Sequence, residues 1–245
     1  MSSQEASMVR SVWMMVAALT VVGCGDDAES AGAGGADASG GGSVSSGGAE
    51  PGNGGASATG GASATGGGGA SESAPDISGA FESGCLASPQ ADGSTQYISL
   101  TFQNTSTDWA VDYVVHGDEA CASDFITVHI EGPYDLPGPS AVVAGAYDGV
   151  FSFTQKTITP GSAGAADFLN SLGSCGSFTE GVATDIYQNG CAPLGQYPAA
   201  QCSADYDVVS FDGQTLRFGA RPADNNMCTP ENRPTELSPV ALTKK

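Results

Sequence analysis

Ile98-Ser99-Leu100-Thr101-Phe102-Gln103, followed by Trp109-Ala110-Val111-Asp112-Tyr113-Val114-Val115, decides how this chain folds. Large apolar side chains recur at every second position, so each segment offers one face to a core and one to water. That period belongs to strands of an antiparallel sheet. It continues at Ile126, Val128 and Ile130 against Thr127, His129 and Glu131, and at Phe151 and Phe153. It returns at Val182, Thr184 and Ile186, then through Tyr206 to Phe211 and Thr215 to Phe218. The last two flank Asp212-Gly213-Gln214, a hairpin turn in which glycine supplies positive φ. Many short strands of this kind predict an all-β domain, a barrel or a sandwich. One helix interrupts them: Ala165, Phe168, Leu169 and Leu172 fall at i, i+3, i+4 and i+7. Ser162 is its expected N-cap and Gly173 its expected stop. A lone amphipathic helix among strands suits the covering of one barrel end.

Upstream the composition changes. Residues 25–74 are nearly all Gly, Ser, Ala and Thr, with Val44 the one large apolar side chain. Such a stretch cannot bury enough surface to offset the entropy of ordering, and it reads as a linker spanning roughly 35–42 Å. Before it, Ser11 to Val22 is an apolar run broken only by Ser11 and Thr20. It is too short for a bilayer core that needs roughly 20 residues, but it has the length of a signal-peptide core. The run ends in Val21-Val22-Gly23-Cys24, which resembles the bacterial lipobox. The alternative is an ordinary secretory signal with a chance cysteine. The organisation expected is therefore a lipoprotein signal over 1–23, a lipidated Cys24 with its linker over 24–74, and a β domain over 75–245. The localisation expected is the bacterial cell envelope, lipid-anchored at the outer membrane, periplasmic or surface-exposed. Two or three acyl chains on Cys24 would hold the protein stably where one would not.

Charge and cysteines narrow the function. The chain carries a formal net charge of −20, and from residue 75 onward twenty Asp and Glu face only Lys156, Arg217, Arg221, Arg233, Lys244 and Lys245. Phosphate backbones need a basic patch, so nucleic acid is not an expected partner. Apart from Cys24 there are Cys85, Cys121, Cys175, Cys191, Cys202 and Cys228. An even number in an exported domain reads as three disulfides, with fifteen pairings open. Neither Cys-x-x-Cys nor clustered histidine is present, so no metal site and no cofactor are expected.

The ordered part then resembles something specific. Gly79-Ala80-Phe81-Glu82-Ser83-Gly84-Cys85, Asp118 with Cys121, and Lys156-Thr157-Ile158-Thr159-Pro160 come first in the series. Cys175-Gly176, Asn189-Gly190-Cys191, Leu194-Gly195, Tyr206, Leu216-Arg217-Phe218, Gly219-Ala220-Arg221-Pro222 and Arg233-Pro234 complete it. In order and spacing this resembles the extracellular repeat of the adenomatosis polyposis coli down-regulated family, membrane-anchored antagonists of Wnt signalling in animals. Phe81 stands where the family has Trp, and the animal proteins carry two such units and a C-terminal membrane span. The resemblance implies a half-open, lipocalin-like antiparallel β-barrel whose apolar interior accepts a lipid chain. The Wnt partner does not transfer to a bacterium. Cys85, Cys121, Cys175 and Cys191 match family positions, while Cys202 and Cys228 form an extra pair bracketing the 206–218 hairpin. The pairings so implied are Cys85–Cys121, Cys175–Cys191 and Cys202–Cys228.

Three functions compete on the sequence. The first is a tethered binding module for a lipid, an acyl chain or a lipidated partner, with Leu100, Phe102, Tyr113, Val115, Phe125, Val128, Ile130, Phe151, Phe153 and Ile186 as lining candidates. The same residues suit a filled core equally well. The second is a structural or adhesive envelope protein with a filled barrel, presenting the Gly132–Pro139 segment as a loop. The third is an enzyme, which the motifs do not favour. Only His116, read as a loop histidine, and His129, on the polar face of its strand, offer a base. Asp205 and Asp207 share a strand face and suit glycoside chemistry or calcium, but an acidic solvent-facing edge explains them equally well. Arg221, among so many acids, is a candidate to hold a buried carboxylate, with a turn-fixing ion pair and ligand recognition as the open alternatives.

Overall fold

The computed structural model describes residues 73–90 and 92–245. The readings of the signal, of Cys24 and of the linker lie outside those residues. Three long antiparallel strands form the centre: β3 (Thr95–Asn104), β4 (Asp108–His116) and β5 (Asp124–Pro139). Each flank is a strand interrupted once. Against β3 lie β1 (Gly79–Glu82), paired with residues 101–104, and β2 (Leu86–Pro89), paired with 95–98. Against β5 lie β6 (Tyr147–Ser152), paired within 134–139, and β7 (Gln155–Pro160), paired with 126–131.

The two halves end differently. Strands β9 (Ala204–Phe211), β10 (Thr215–Phe218) and β11 (Leu242–Lys244) run from β6 round to β1. They close a ring in the order β1-β3-β4-β5-β6-β9-β10-β11. In the other half β7 meets only β5 and the two-residue β8 (Thr184–Asp185), and β2 meets only β3. The result is a barrel closed at one end and splayed at the other, as the half-open expectation required. The helix α1 (Ala163–Ser171) serves the splayed half. Phe168 and Leu169 join Ile98, Val115, Ile126 and Ile158 in one apolar cluster. Ser162 Oγ accepts from Ala165 N at 3.1 Å, and Gly173 leaves the helix at φ +69°, so both expected ends hold. A second cluster fills the ring, where Phe102 stacks on Phe218 at 4.7 Å and Trp109 meets Phe151 edge-on at 5.3 Å.

The turn at Asp212-Gly213-Gln214 forms as read: Asp212 Oδ1 accepts from Gln214 N and Thr215 N, with Gly213 at φ +97°. The disulfides are Cys85–Cys121, Cys175–Cys191 and Cys202–Cys228. Two expectations are corrected. The Gly132–Pro139 segment is the end of β5, not a loop. Past Pro133 that strand pairs only with β6, and Pro137 falls in the register shift between Asp135 and Gly138, where it has no ladder partner. The strand expected over Val182, Thr184 and Ile186 shrinks to Thr184–Asp185, with Val182 exposed.

Gly132 marks the point where the flank passes from β6 to β7. A Cβ there would stand 2.1 Å from Ser152 O and 3.1 Å from Thr154 N, both backbone atoms. Gly132→Ala is therefore expected to cost about 2 kcal/mol, the scale of overpacking a rigid site. A urea midpoint unchanged from the parent would contradict this.

Candidate functional site

Between the two clusters lies a cavity of about 250 Å³. Eight of the sequence candidates line it: Leu100, Phe102, Tyr113, Val115, Val128, Ile130, Phe151 and Phe153. The register explains the set. Leu100 pairs with Tyr113 and Tyr113 with Val128, while Phe102 pairs with Val111 and Val111 with Ile130, so these side chains share the concave face. Phe125 and Ile186 are corrections. Phe125 has the opposite parity to Ile126 and packs instead on the Phe168 ring at 6.2 Å. Ile186 is buried beside the helix, off the cavity wall. The alternation also supplies Ile98, Trp109, Val111 and Ile126, which the candidate set omitted.

What sequence reasoning missed is the charge inside. Asp205, Asp207, Lys156 and Arg221 all border the cavity. In the ladder Phe151 faces Asp205 and Gly149 faces Asp207, so both carboxylates point into the barrel and are 7 % and 2 % exposed. The acidic solvent edge is thereby overturned. The signal was available: Asp205, Asp207, Val209 and Phe211 alternate in phase, and the apolar members, Val209 and Phe211, belong to the ring cluster. Arg221 Nη2 donates to Asp205 Oδ2 at 2.6 Å and Nη1 to Asn225 Oδ1 at 2.7 Å. Asp207 Oδ1 accepts from Val208 N at 2.7 Å and Gly219 N at 2.8 Å. A side chain at 219 would close on that oxygen at 2.6 Å, which explains the glycine.

Lys156 faces Ile130 across the ladder and is 3 % exposed. Its ammonium lies 3.7 Å from the centroid of the Phe153 ring. Burial pulls its pKa down to about 8, with Asp205 opposing and Arg221 reinforcing the fall. Burial pushes Asp207 up to about 6 against the pull of Arg221 and the Gly219 N–H. For Arg221 burial disfavours the charge, but Asp205 and Asp207 outweigh it and hold the guanidinium protonated. Its side chain keeps 41 % of its surface although protein surrounds it, because its free side faces the cavity. Tyr113, pushed up to about 12 by burial, is a neutral hydroxyl on the same wall.

The histidines lie elsewhere. His116 is the buried end of β4, not a solvated loop residue. Its Nε2 meets Ser99 Oγ at 2.8 Å, and its Nδ1 lies 3.2 Å from Asp124 Oδ1. The connectivity is that of a nucleophile–base–carboxylate chain. None of the three lines the cavity, and Nδ1 is off the hydrogen-bond line to Asp124. We read the trio as a clamp across β3, β4 and β5. His129 meets Asp112 at 2.7 Å and Glu131 at 3.4 Å on the outer face. Burial opposes its charge, but the two carboxylates together raise its pKa. Among the described residues no three His, Cys, Asp or Glu side chains converge as a metal site.

The fold and site thus define an antiparallel β-barrel, half closed, with an internal apolar cavity carrying a buried charged wall. No known protein-family model matches the chain.

Proposed function

We propose that this barrel is a binding module that holds a lipid, an acyl chain or a lipidated partner in its interior, presented at a membrane surface by the N-terminal tether. The observation that carries the reading is the cavity itself. Aliphatic and aromatic side chains from β3, β4, β5 and β6 turn inward around about 250 Å³ of open space in a barrel otherwise packed tightly. Apolar pockets with a few convergent polar groups are where small ligands bind. Each methylene moved from water onto such a wall contributes up to ~0.8 kcal/mol. The residue series resembling the animal Wnt antagonists supports the same reading, and Lys156 and Arg221 belong to that series. An adhesive role through residues 132–139 loses its loop, since they form strand.

The test uses the full chain carrying Cys24→Ala, so that the anchor brings no acyl chain of its own. Native mass spectrometry is expected to show co-purifying lipid, and cis-parinaric acid is expected to saturate one site. Leu100→Trp fills part of the cavity and is expected to weaken that probe about tenfold, the equivalent of excluding roughly two methylenes. Thermal stability should not fall. A probe that never saturates, or one that L100W leaves unchanged, rejects the cavity as the binding site.

A further inference from the structure

We infer that the ligand is an amphipath with a single anionic head, a long-chain carboxylic acid, whose carboxylate is held inside the barrel by the Lys156 ammonium. The inference rests on the reading of the cavity as an apolar binding site and adds the chemistry of the head.

Its basis is a count of partners. Asp205 and Arg221 satisfy each other, Arg221 also reaches Asn225, and Asp207 takes two backbone N–H groups. Lys156 alone is uncommitted: its ammonium donates no hydrogen bond and closes no ion pair among the described residues. Asp205 attracts it only from beyond ion-pair distance, and the ammonium lies over the Phe153 face. A lysine 3 % exposed whose ammonium borders the cavity without an anion is costly unless something completes it. A ring quadrupole supplies a fraction of what a carboxylate supplies.

The sign and number of charges select the head. A cationic head would meet Lys156 and Arg221. A dianionic phosphate would need more than one free cation, and Arg221 already holds Asp205 and Asn225 beside a second carboxylate, Asp207, that would repel it. Asp205 and Arg221 cancel each other and Asp207 is held by two backbone N–H groups, which leaves the Lys156 ammonium as the cation open to one monoanion. The ladder then gives the tail its path. Lys156 sits in the row Phe102–Val111–Ile130. Two further rows, Leu100–Tyr113–Val128 and Ile98–Val115–Ile126, continue the apolar wall towards the splayed half over roughly 13 Å.

The experiment compares cis-parinaric acid with its methyl ester, titrated at pH 7 into the full chain carrying Cys24→Ala, as the parent, Lys156→Met and Lys156→Arg. The parent is expected to bind the acid at least about tenfold tighter than the ester, the scale of one charge-assisted contact in a dry site. K156M should bring that ratio to about one with the ester affinity unchanged, and K156R should keep the preference. Ester binding by K156M shows that the variant is folded. If both probes bind the parent equally, or K156M weakens acid and ester alike, the lysine does not read the head and the inference fails while the cavity stands. If neither probe binds the parent, the cavity reading falls and this inference with it.

Discussion

Lys156→Met is expected to make the protein about 3 kcal/mol more stable at pH 7. Burial holds this lysine near 8 in the fold, against 10.5 for a free side chain. At about 1.4 kcal/mol per pKa unit, the folded state is penalised by roughly 3 kcal/mol whenever the ammonium is charged. The sign follows from proton counts. Between pH 8 and 10.5 the unfolded chain binds the proton that the folded chain has released, so the parent gains stability as pH rises through that window. Below pH 8 both states are protonated and the full penalty applies. The advantage of K156M should therefore be constant from pH 6 to 7.5, shrink from pH 8 upward and vanish near pH 10.5. Methionine fits the site because it is unbranched, apolar and close to the lysine stem in volume. Urea unfolding across that range measures the effect. A K156M protein less stable than the parent at pH 7 would mean that the ring contact and the Asp205 field already repay the desolvation.

A stabilising substitution on a cavity wall has a meaning beyond stability. A residue kept at a cost to the fold is commonly kept for what it binds. An apolar side chain at 156 would close the strand alternation without loss, since Ile158 and Ile130 surround it with hydrocarbon. Weaker ligand-free stability together with tighter acid binding in the parent would tie the two observations to one ammonium.

The architecture was legible in the alternation because a strand with one buried face leaves a period-two record. Ile98, Leu100 and Phe102 sit opposite Val115, Tyr113 and Val111 in register, each on the face its parity assigned. The helix ends were legible for the same local reason, a hydroxyl before the stripe and a glycine after it. The pairing of Cys202 with Cys228 followed from the family resemblance, which set these two apart as an extra pair, together with the hairpin they bracket. The splay was harder. It depends on β1 with β2 and β6 with β7 being broken strands; Gly84 at φ +66° marks the first break, but Phe153-Thr154 carries no strong local mark. The charged wall went unread because polarity was taken as exposure. Asp205 and Asp207 had the parity of Val209 and Phe211, and parity outweighs polarity where a barrel encloses a cavity. Arg221 gave the clue, as one of few cations in so acidic a domain.

Arg221→Met is the converse experiment, with an expected loss of about 3 kcal/mol at pH 7. Removing one partner of a buried pair strands the other, and such losses run at roughly 3–5 kcal/mol. The lower figure applies because 41 % of the Arg221 side chain remains accessible and water relaxes to meet what is left. Two carboxylates are stranded together. Asp205 loses its 2.6 Å partner, and Asp207, already near 6, loses the cation that opposed its rise. A carboxyl whose folded pKa lies above its unfolded value contributes most below the unfolded pKa, and that contribution is lost as pH rises through the folded one. The deficit of R221M should thus be largest at pH 7 and narrow by pH 5, as Asp207 takes up its proton. Asp205→Asn combined with R221M removes both members of the pair and should recover about 2 kcal/mol, since the Asp205 charge goes with its partner and Asp207 alone is left without a cation. Chemical denaturation of the single and double variants at both pH values reads all of this. A double variant no better than R221M would place the role of the arginine in its packing against Pro222 and Asn225, and a pH-independent deficit would remove Asp207 from the account.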